Sequence, residues 1–395
     1  MNNANQLSLN RPRTKIAVVL MTVAFTLFYA LMPIILGNAA DSRNLSEQEI
    51  GFLASFFMGG QTIGFFSGVF WIRRYNWRVL ILGAGVVMML GFFFASISAN
   101  YVLLSVGLSI AGIASAIGYG ITIACLGDTD EPDRWYAWAW FAQAVVGASL
   151  AYLLPRLSFV GHDFDASMRF MIGVIIVLMP LVLLIPGKGI KDGRTKNDAG
   201  QRLAAPHGAL LLGLLVIVLV FVAESGLWAF LDRIAVAGGF DREFAGTAIA
   251  ASFIGAACGS FIAGVIGARF GRLIPMSISI FASIAAAILF YFSRDPISFL
   301  TAAVVYGIAW NLGAAYRMAL VAEADVSGRY STLIPGMQAI GSVIGPGLAG
   351  MLVIGGSFLY VYLLSSIAWL VALMLFILAH RALGVFNTGS NVPAS

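Results

Sequence analysis

The chain has 395 residues, of which 60% are hydrophobic and only 10% charged, and its mean hydropathy is +0.93. That leaves too little polar surface for a soluble domain and excludes an ordinary globular enzyme; the solvent for most of the chain is lipid. The net charge of +5 does not point to nucleic acid, and no nucleic-acid partner is expected. Lys and Arg sit in short segments between apolar runs, which is the pattern of membrane orientation.

In chain order, apolar runs cover 15–37, 48–71, 78–97, 101–126, 135–157 and 167–186, then 208–231, 243–267, 273–293, 296–322, 331–353 and 357–381. Each suits a helical crossing of about 20 residues. Only helices or closed barrels satisfy the backbone in lipid, and no run shows the alternation of a barrel strand. The expected fold class is therefore an all-α membrane protein with twelve transmembrane helices in two six-helix bundles, 1–186 and 208–395. The polar stretch 187–207, rich in Lys, Arg, Gly and Asp, reads as a cytoplasmic linker. The first run follows Arg11, Arg13 and Lys15, as a signal peptide would. Its length and its counterpart in the second half make it a retained first span.

An even number of spans puts both termini on one side. The loops of that side carry most of the basic residues, among them Arg11, Arg13, Lys15, Arg73, Arg74, Arg78, Arg134, Lys188, Arg269 and Arg272. The opposite side has Arg43, Arg156, Arg169, Arg233, Arg242 and Arg294. The positive-inside rule then places both termini in the cytoplasm, and the short loops suit a bacterial inner membrane. Trp71, Trp77, Trp135, Tyr136 and Trp138 are expected to form an aromatic belt at that interface.

Cys125 and Cys258 both lie in apolar runs and are too few for a disulfide framework or a structural zinc site. His162, His207 and His380 fall in loops or at span ends, so no metal is expected. No phosphate-binding Walker loop, zinc spacing or Gly-x-Ser-x-Gly elbow occurs, so neither an enzyme nor a cofactor is expected.

The two halves match at an offset of about 195 residues. Gly112-Ile-Ala and Gly118 in span four correspond to Gly307-Ile-Ala and Gly313 in span ten. After them, Asp128, Asp130 and Arg134 correspond to Glu323, Asp325 and Arg329, and Gln143-Ala in span five corresponds to Gln338-Ala in span eleven. Six helices repeated in the same orientation imply two bundles related by an axis along the membrane normal. Transporters so built place the substrate near the midplane between halves that rock around it.

The segment Gly264-x-x-x-Ala268-Arg269-x-Gly271-Arg272, between spans eight and nine, resembles the signature loop of the major facilitator superfamily. Arg74, Asn76 and Arg78 form a looser first-half copy, and Gly341-x-x-x-Gly345-Pro346 in span eleven resembles the family's Gly-Pro antiporter motif. The resemblance covers essentially the whole chain and implies secondary active transport, with Arg74, Arg78, Gly264, Arg269, Gly271 and Arg272 as gating-loop residues. Ala268 stands where the signature has an acid, which implies a differently built conformational latch.

An ionisable group deep in a span costs roughly 2.5–3.5 kcal/mol by insertion scales and so demands a reason. Glu224 in span seven is the proton-coupling candidate: burial disfavours its charge, so it can take and release a proton near neutral pH. The alternative is a Glu hydrogen-bonded to a neighbouring helix. Arg317 in span ten can clamp a substrate carboxylate or phosphate, snorkel to the interface, or pair with an acidic residue. At 100° per residue, Tyr306, Trp310, Gly313 and Arg317 share one stripe, as do Phe221, Glu224 and Trp228. Thr22, Thr26 and Tyr29 line span one, with Tyr29 at the repeat position of Glu224; Ser115, Gly118, Tyr119 and Thr122 line span four. In the resembled family, spans one, four, seven and ten line the cavity. Gln61, Gln143 and Gln338 are expected to add hydrogen bonds, although ordinary interhelical packing explains any single aromatic or glutamine.

These readings predict a monomeric carrier in a lipid bilayer that takes a small-molecule substrate and protons. The leading expectation is proton-linked symport of an organic anion held by Arg317. The alternative is a proton-coupled exporter of drugs or metabolites, which the aromatics and the Gly-Pro motif favour.

Overall fold

In the computed structural model of the chain, residues 9–72, 74–157, 162–188, 207–267, 269–325, 330 and 333–389 are described. Their long helices are α1 (Pro12–Ser42), α2 (Glu47–Trp71), α3 (Trp77–Ile97), α4 (Tyr101–Gly127), α5 (Pro132–Leu153) and α6 (Phe164–Leu178). The second set is α7 (His207–Ala229), α8 (Arg242–Ile266), α9 (Leu273–Phe292), α10 (Pro296–Ala324), α11 (Ile334–Met351) and α12 (Leu359–Gly389). Eleven of these are long and apolar enough to cross a membrane. The twelfth, α11, is diluted by its glycines and by Pro346 but occupies the place expected of span eleven.

The ends follow local chemistry. Ser46 caps α2 in a reciprocal capping box with Glu49, and Asp241 caps α8 through the Phe244 amide. Asn100 and Asp295 cap α4 and α10, each accepting from two amides. These caps recur at the repeat offset, so the repeat reaches the helix termini. Span six departs from expectation: α6 stops at Leu178 and continues as a 3-10 turn, Met179–Leu184, because Pro180 supplies no amide for the α ladder. Pro155 does the same after α5, in Leu154–Arg156. Span seven ends at Ala229, and a short helix, Leu231–Ala237, follows the turn at Phe230. Trp77 is also not an interfacial residue: it is fully buried, and its indole donates to the Ile72 carbonyl at 2.7 Å.

The chain divides into two compact units, Met1–Gly193 and Arg194–Ser395. In the first unit α1 is the most buried helix, packing on α2, α4, α5 and α6, while α4 packs tightly on α2 and α3. In the second, α7 is the most buried and packs on α10, α11 and α12, while α10 packs on α8 and α9. In both units outward faces carry large exposed apolar side chains such as Phe66, Phe93, Phe261 and Phe281, as a lipid-facing surface must.

Glycines let the helices meet at backbone distance. A Cβ on Gly60 or Gly112 would collide with the carbonyl oxygen of Ser109 or Phe57, across α2 and α4. One on Gly255 or Gly307 would collide with that of Val304 or Ser252, across α8 and α10. These four close approaches are the same two, displaced by the repeat offset. With no hydrophobic drive between helices in lipid, close van der Waals packing of this kind holds each pair.

Candidate functional site

The second unit brings Glu224 of α7 and Arg317 of α10 together. Arg317 Nη1 donates to Glu224 Oε1 at 3.1 Å and Nη2 to Oε2 at 3.0 Å, an end-on bidentate pair. The side chains are 2% and 1% exposed, so Arg317 does not snorkel to the interface, and of the three roles open to it the structure shows pairing with an acid. That acid is across the unit on α7, not in the cluster that follows α10. Glu224 in turn is not an isolated carboxylate. Removing two charges from water is costly, and an end-on fork is the geometry that repays most of that cost.

Neighbours fix the pair from several sides. The Tyr306 hydroxyl donates to the Glu224 backbone carbonyl at 2.7 Å, tying α10 to α7 at the residue that carries the carboxylate. The guanidinium carbon lies 5.2 Å from the Phe221 ring centroid, a cation–π contact inside the fold. A Cβ on Gly313 would collide with Ser279 Oγ, so glycine there leaves room for Ser279, while Arg317 Nη1 would lie at an ordinary contact distance of 3.4 Å. Ser279 itself is held to the Ala309 carbonyl at 2.8 Å. On the α7 side, Gly345 of α11 meets the backbone of Val222 and Gly226, and Ser225 bonds back to Phe221 at 2.6 Å. The Gly-Pro segment of α11 therefore seats the helix that carries Glu224.

An aromatic wall adjoins the pair. Trp310 meets Phe221, Trp228 and Tyr306 at centroid distances of 6.5, 6.1 and 5.6 Å, all steeply inclined, and Trp228 also meets Phe253. Tyr306 and Trp228 are buried, whereas Phe221 and Trp310 remain half-exposed. Gln338 of α11 is half-buried and donates to the Met318 sulfur at 3.6 Å.

One atom in this cluster stands out. Arg317 Nε is buried and has no hydrogen-bond partner among the described residues. An unmet buried donor costs about 1–3 kcal/mol, and here it lies on the side edge of a guanidinium whose end is already engaged.

The first unit holds a different set. Gln143 Nε2 lies 3.5 Å from Thr22 Oγ1, and the Tyr119 hydroxyl lies against Gln143 and Trp140. Gln61 donates to Ser115 at 2.9 Å, and Ser115 to the Phe25 carbonyl at 2.6 Å. Thr26 bonds back to Thr22 at 2.8 Å, and Tyr29 is half-buried on the same helix. Thus the stripes of α1, α4 and α5 form an uncharged network, with Tyr29 and Thr122 at the repeat positions of Glu224 and Arg317.

The loop candidates sit in two turns. Arg74 is exposed after α2, and Arg78 opens α3 with Nε donating to the Ile185 carbonyl, which clasps α3 to the end of α6. In the second unit Gly264 is in the last turn of α8; Gly267 and Gly271 then take positive φ of 52° and 65°, which turns the chain into α9. Arg269 is exposed and Arg272 half-buried at the start of α9. The Tyr316 hydroxyl of α10 donates to the Gly267 carbonyl at 2.9 Å, so the loop is tied to the helix that carries Arg317. Ala268, Arg73, Arg329 and the Glu323 side chain lie outside what is described.

Sequence reading found Glu224, Arg317 and their stripes and allowed each a polar partner, but it did not join the two to each other, and it missed Ser279 beneath Gly313 and the Tyr316 tie. Stripes at 100° per residue show which residues share a helix face; they do not say which faces meet.

Residues 213–391 match the family model described as Major Facilitator Superfamily. Among curated proteins no sequence matches. Among solved structures, the nucleoside transporter NupG aligns with TM-score 0.77 and 12% identity over 93% of this chain and 99% of that one. A D-xylose-proton symporter aligns at 0.74 and 16% over 92% and 96%. A bacterial homolog of the human lysosomal transporter Spinster, solved inward-facing and unoccupied, aligns at 0.68 and 16% over 94% and 98%.

Proposed function

We propose that the chain, whose second half matches the Major Facilitator Superfamily model and whose fold is that of solved transporters, is a secondary active transporter coupling a proton to an organic anion by alternating access. The observation that carries this reading is the buried fork between Glu224 and Arg317. While Glu224 is ionised it neutralises Arg317. A proton on Glu224 leaves a buried guanidinium without a counter-charge, a state several kcal/mol less favourable unless an anion replaces the carboxylate. Proton and anion therefore arrive and leave together, and the loaded and empty sites carry the same net charge. Binding energy that depends on both ligands is what biases a two-state carrier only when it is fully loaded. The similarity of the fold to a D-xylose-proton symporter supports proton coupling; the anion rests on Arg317 alone. Both termini are placed in the cytoplasm, as the basic loops indicate.

The reading is tested by measuring the affinity of the purified protein for a panel of carboxylates as a function of pH. Anion affinity is expected to fall about tenfold per pH unit on the alkaline side, because one proton enters with each anion. Glu224→Gln, a permanent mimic of the protonated carboxyl, should keep the affinity and flatten that slope. In proteoliposomes the same variant should retain exchange but lose accumulation driven by a proton gradient. A flat wild-type slope, or full accumulation by Glu224→Gln, rejects Glu224 as the coupling group.

A further inference from the structure

Two features of the pair go beyond coupling. Glu224 engages Arg317 end-on, through Nη1 and Nη2, so the side edge formed by Nε remains a buried donor without an acceptor among the described residues. Phe221, whose ring centroid lies 5.2 Å from the guanidinium carbon, and Trp310, which meets Phe221, keep exposed surface, while Tyr306 and Trp228 back Trp310 as buried rings. Trp310 is met at interplanar angles of 88°, 87° and 70° by Phe221, Trp228 and Tyr306. Its three ring neighbours thus hold it by inclined contacts, and none lies parallel to its plane. Two half-exposed rings, Phe221 against the buried cation and Trp310 against Phe221, suit a ligand that has a flat ring and an oxyanion close together.

We propose that the solute is an aromatic or heteroaromatic carboxylate, its ring packed on Trp310 and Phe221 and its carboxylate oxygen accepting from Arg317 on the Nε edge. This rests on the anion–proton reading above and adds the chemical class. Side-on engagement lets the anion dock before Glu224 releases the end-on fork, so the exchange of carboxylates on Arg317 passes through no unpaired guanidinium. The aromatic wall supplies selection among anions, because Arg317 alone cannot tell one monocarboxylate from another.

The test compares benzoate, cyclohexanecarboxylate and acetate by direct binding to the purified full chain at one acidic pH. Benzoate and cyclohexanecarboxylate have the same charge and similar size and differ in planarity. Benzoate is expected to bind about 3- to 10-fold more tightly than cyclohexanecarboxylate, the range that aromatic pair energies give. In Trp310→Leu the preference should shrink to about twofold or less while acetate affinity holds. Phe221→Leu serves as the second variant, and thermal unfolding in detergent checks that each is folded. Equal or reversed affinities in the wild type, with both acids losing binding in Arg317→Gln, overturn the ring class and leave the anion reading standing. A benzoate preference that survives intact in both variants also overturns the proposal, since the platform is then elsewhere. Failure of all three carboxylates to bind removes this inference together with the function on which it rests.

Discussion

The two units share a scaffold and differ in what their central helices carry. In the first, α1 and α4 present Tyr29 and Thr122, both uncharged, and Thr122 is satisfied within its own helix by the Tyr119 carbonyl at 2.7 Å. In the second, the same two places hold Glu224 and Arg317, joined across the helices by the bidentate pair. The glycine contacts and caps that assemble the helix pairs are common to both, so packing does not explain the charges. The shared offset supplies the frame, and the buried bidentate pair is confined to one copy of it. The first unit carries a neutral network and the second a buried ion pair.

The largest effect should come from breaking the pair on one side. Arg317→Ala leaves a buried carboxylate without its partner and is expected to lower stability by about 3–5 kcal/mol, whereas Thr122→Ala, at the matching position of the first unit, should cost only about 0.5–1.5 kcal/mol. Denaturant unfolding in micelles measures both. Adding Glu224→Gln to Arg317→Ala should recover more than half of the loss; strictly additive losses would show that the two residues do not act as a unit.

A second, smaller contrast lies at the paired glycines of α4 and α10. A Cβ on Gly118 would drive into the Phe25 ring, and one on Gly313 into Ser279 and toward Arg317. Both alanine variants should lose about 1–3 kcal/mol by overpacking. Only Gly313→Ala should also weaken carboxylate binding, because only it displaces a side chain, Ser279, that packs beside Arg317. Equal losses of binding in both variants would mean that Gly118 shapes the anion site as well.

The smallest change should follow Gln61→Leu, which removes the bond to Ser115 in the neutral network. We expect about 1 kcal/mol of destabilisation and an unaltered pH slope of anion affinity. A changed slope would extend the coupling network into the first unit.

Much of the fold was legible in one dimension because lipid imposes a one-dimensional rule: each crossing must satisfy its own backbone over a fixed thickness. Runs of apolar residues and glycines at a constant offset therefore announced the helices and the repeat, whereas the caps at Asn100 and Asp295 were seen only in the structure. The misreadings are local. Pro180 and Pro155 are apolar enough to extend a hydropathy run, yet each lacks the amide that an α-helix needs. Trp77 has the composition of a belt residue, but it folds beneath the turn that follows α2.

The sequence by itself determined that this is a helical membrane protein of duplicated design, with one acid and one base set deep in its second half. Only the tertiary structure decided that the two are partners. Glu224 and Arg317 lie far apart along the chain, and helical periodicity orients each about its own axis without fixing the rotation of one helix against another. That rotation is set by Gly345 against α7, by Gly307 against α8 and by the Tyr306 hydroxyl on the Glu224 carbonyl, contacts that exist only once the helices have packed.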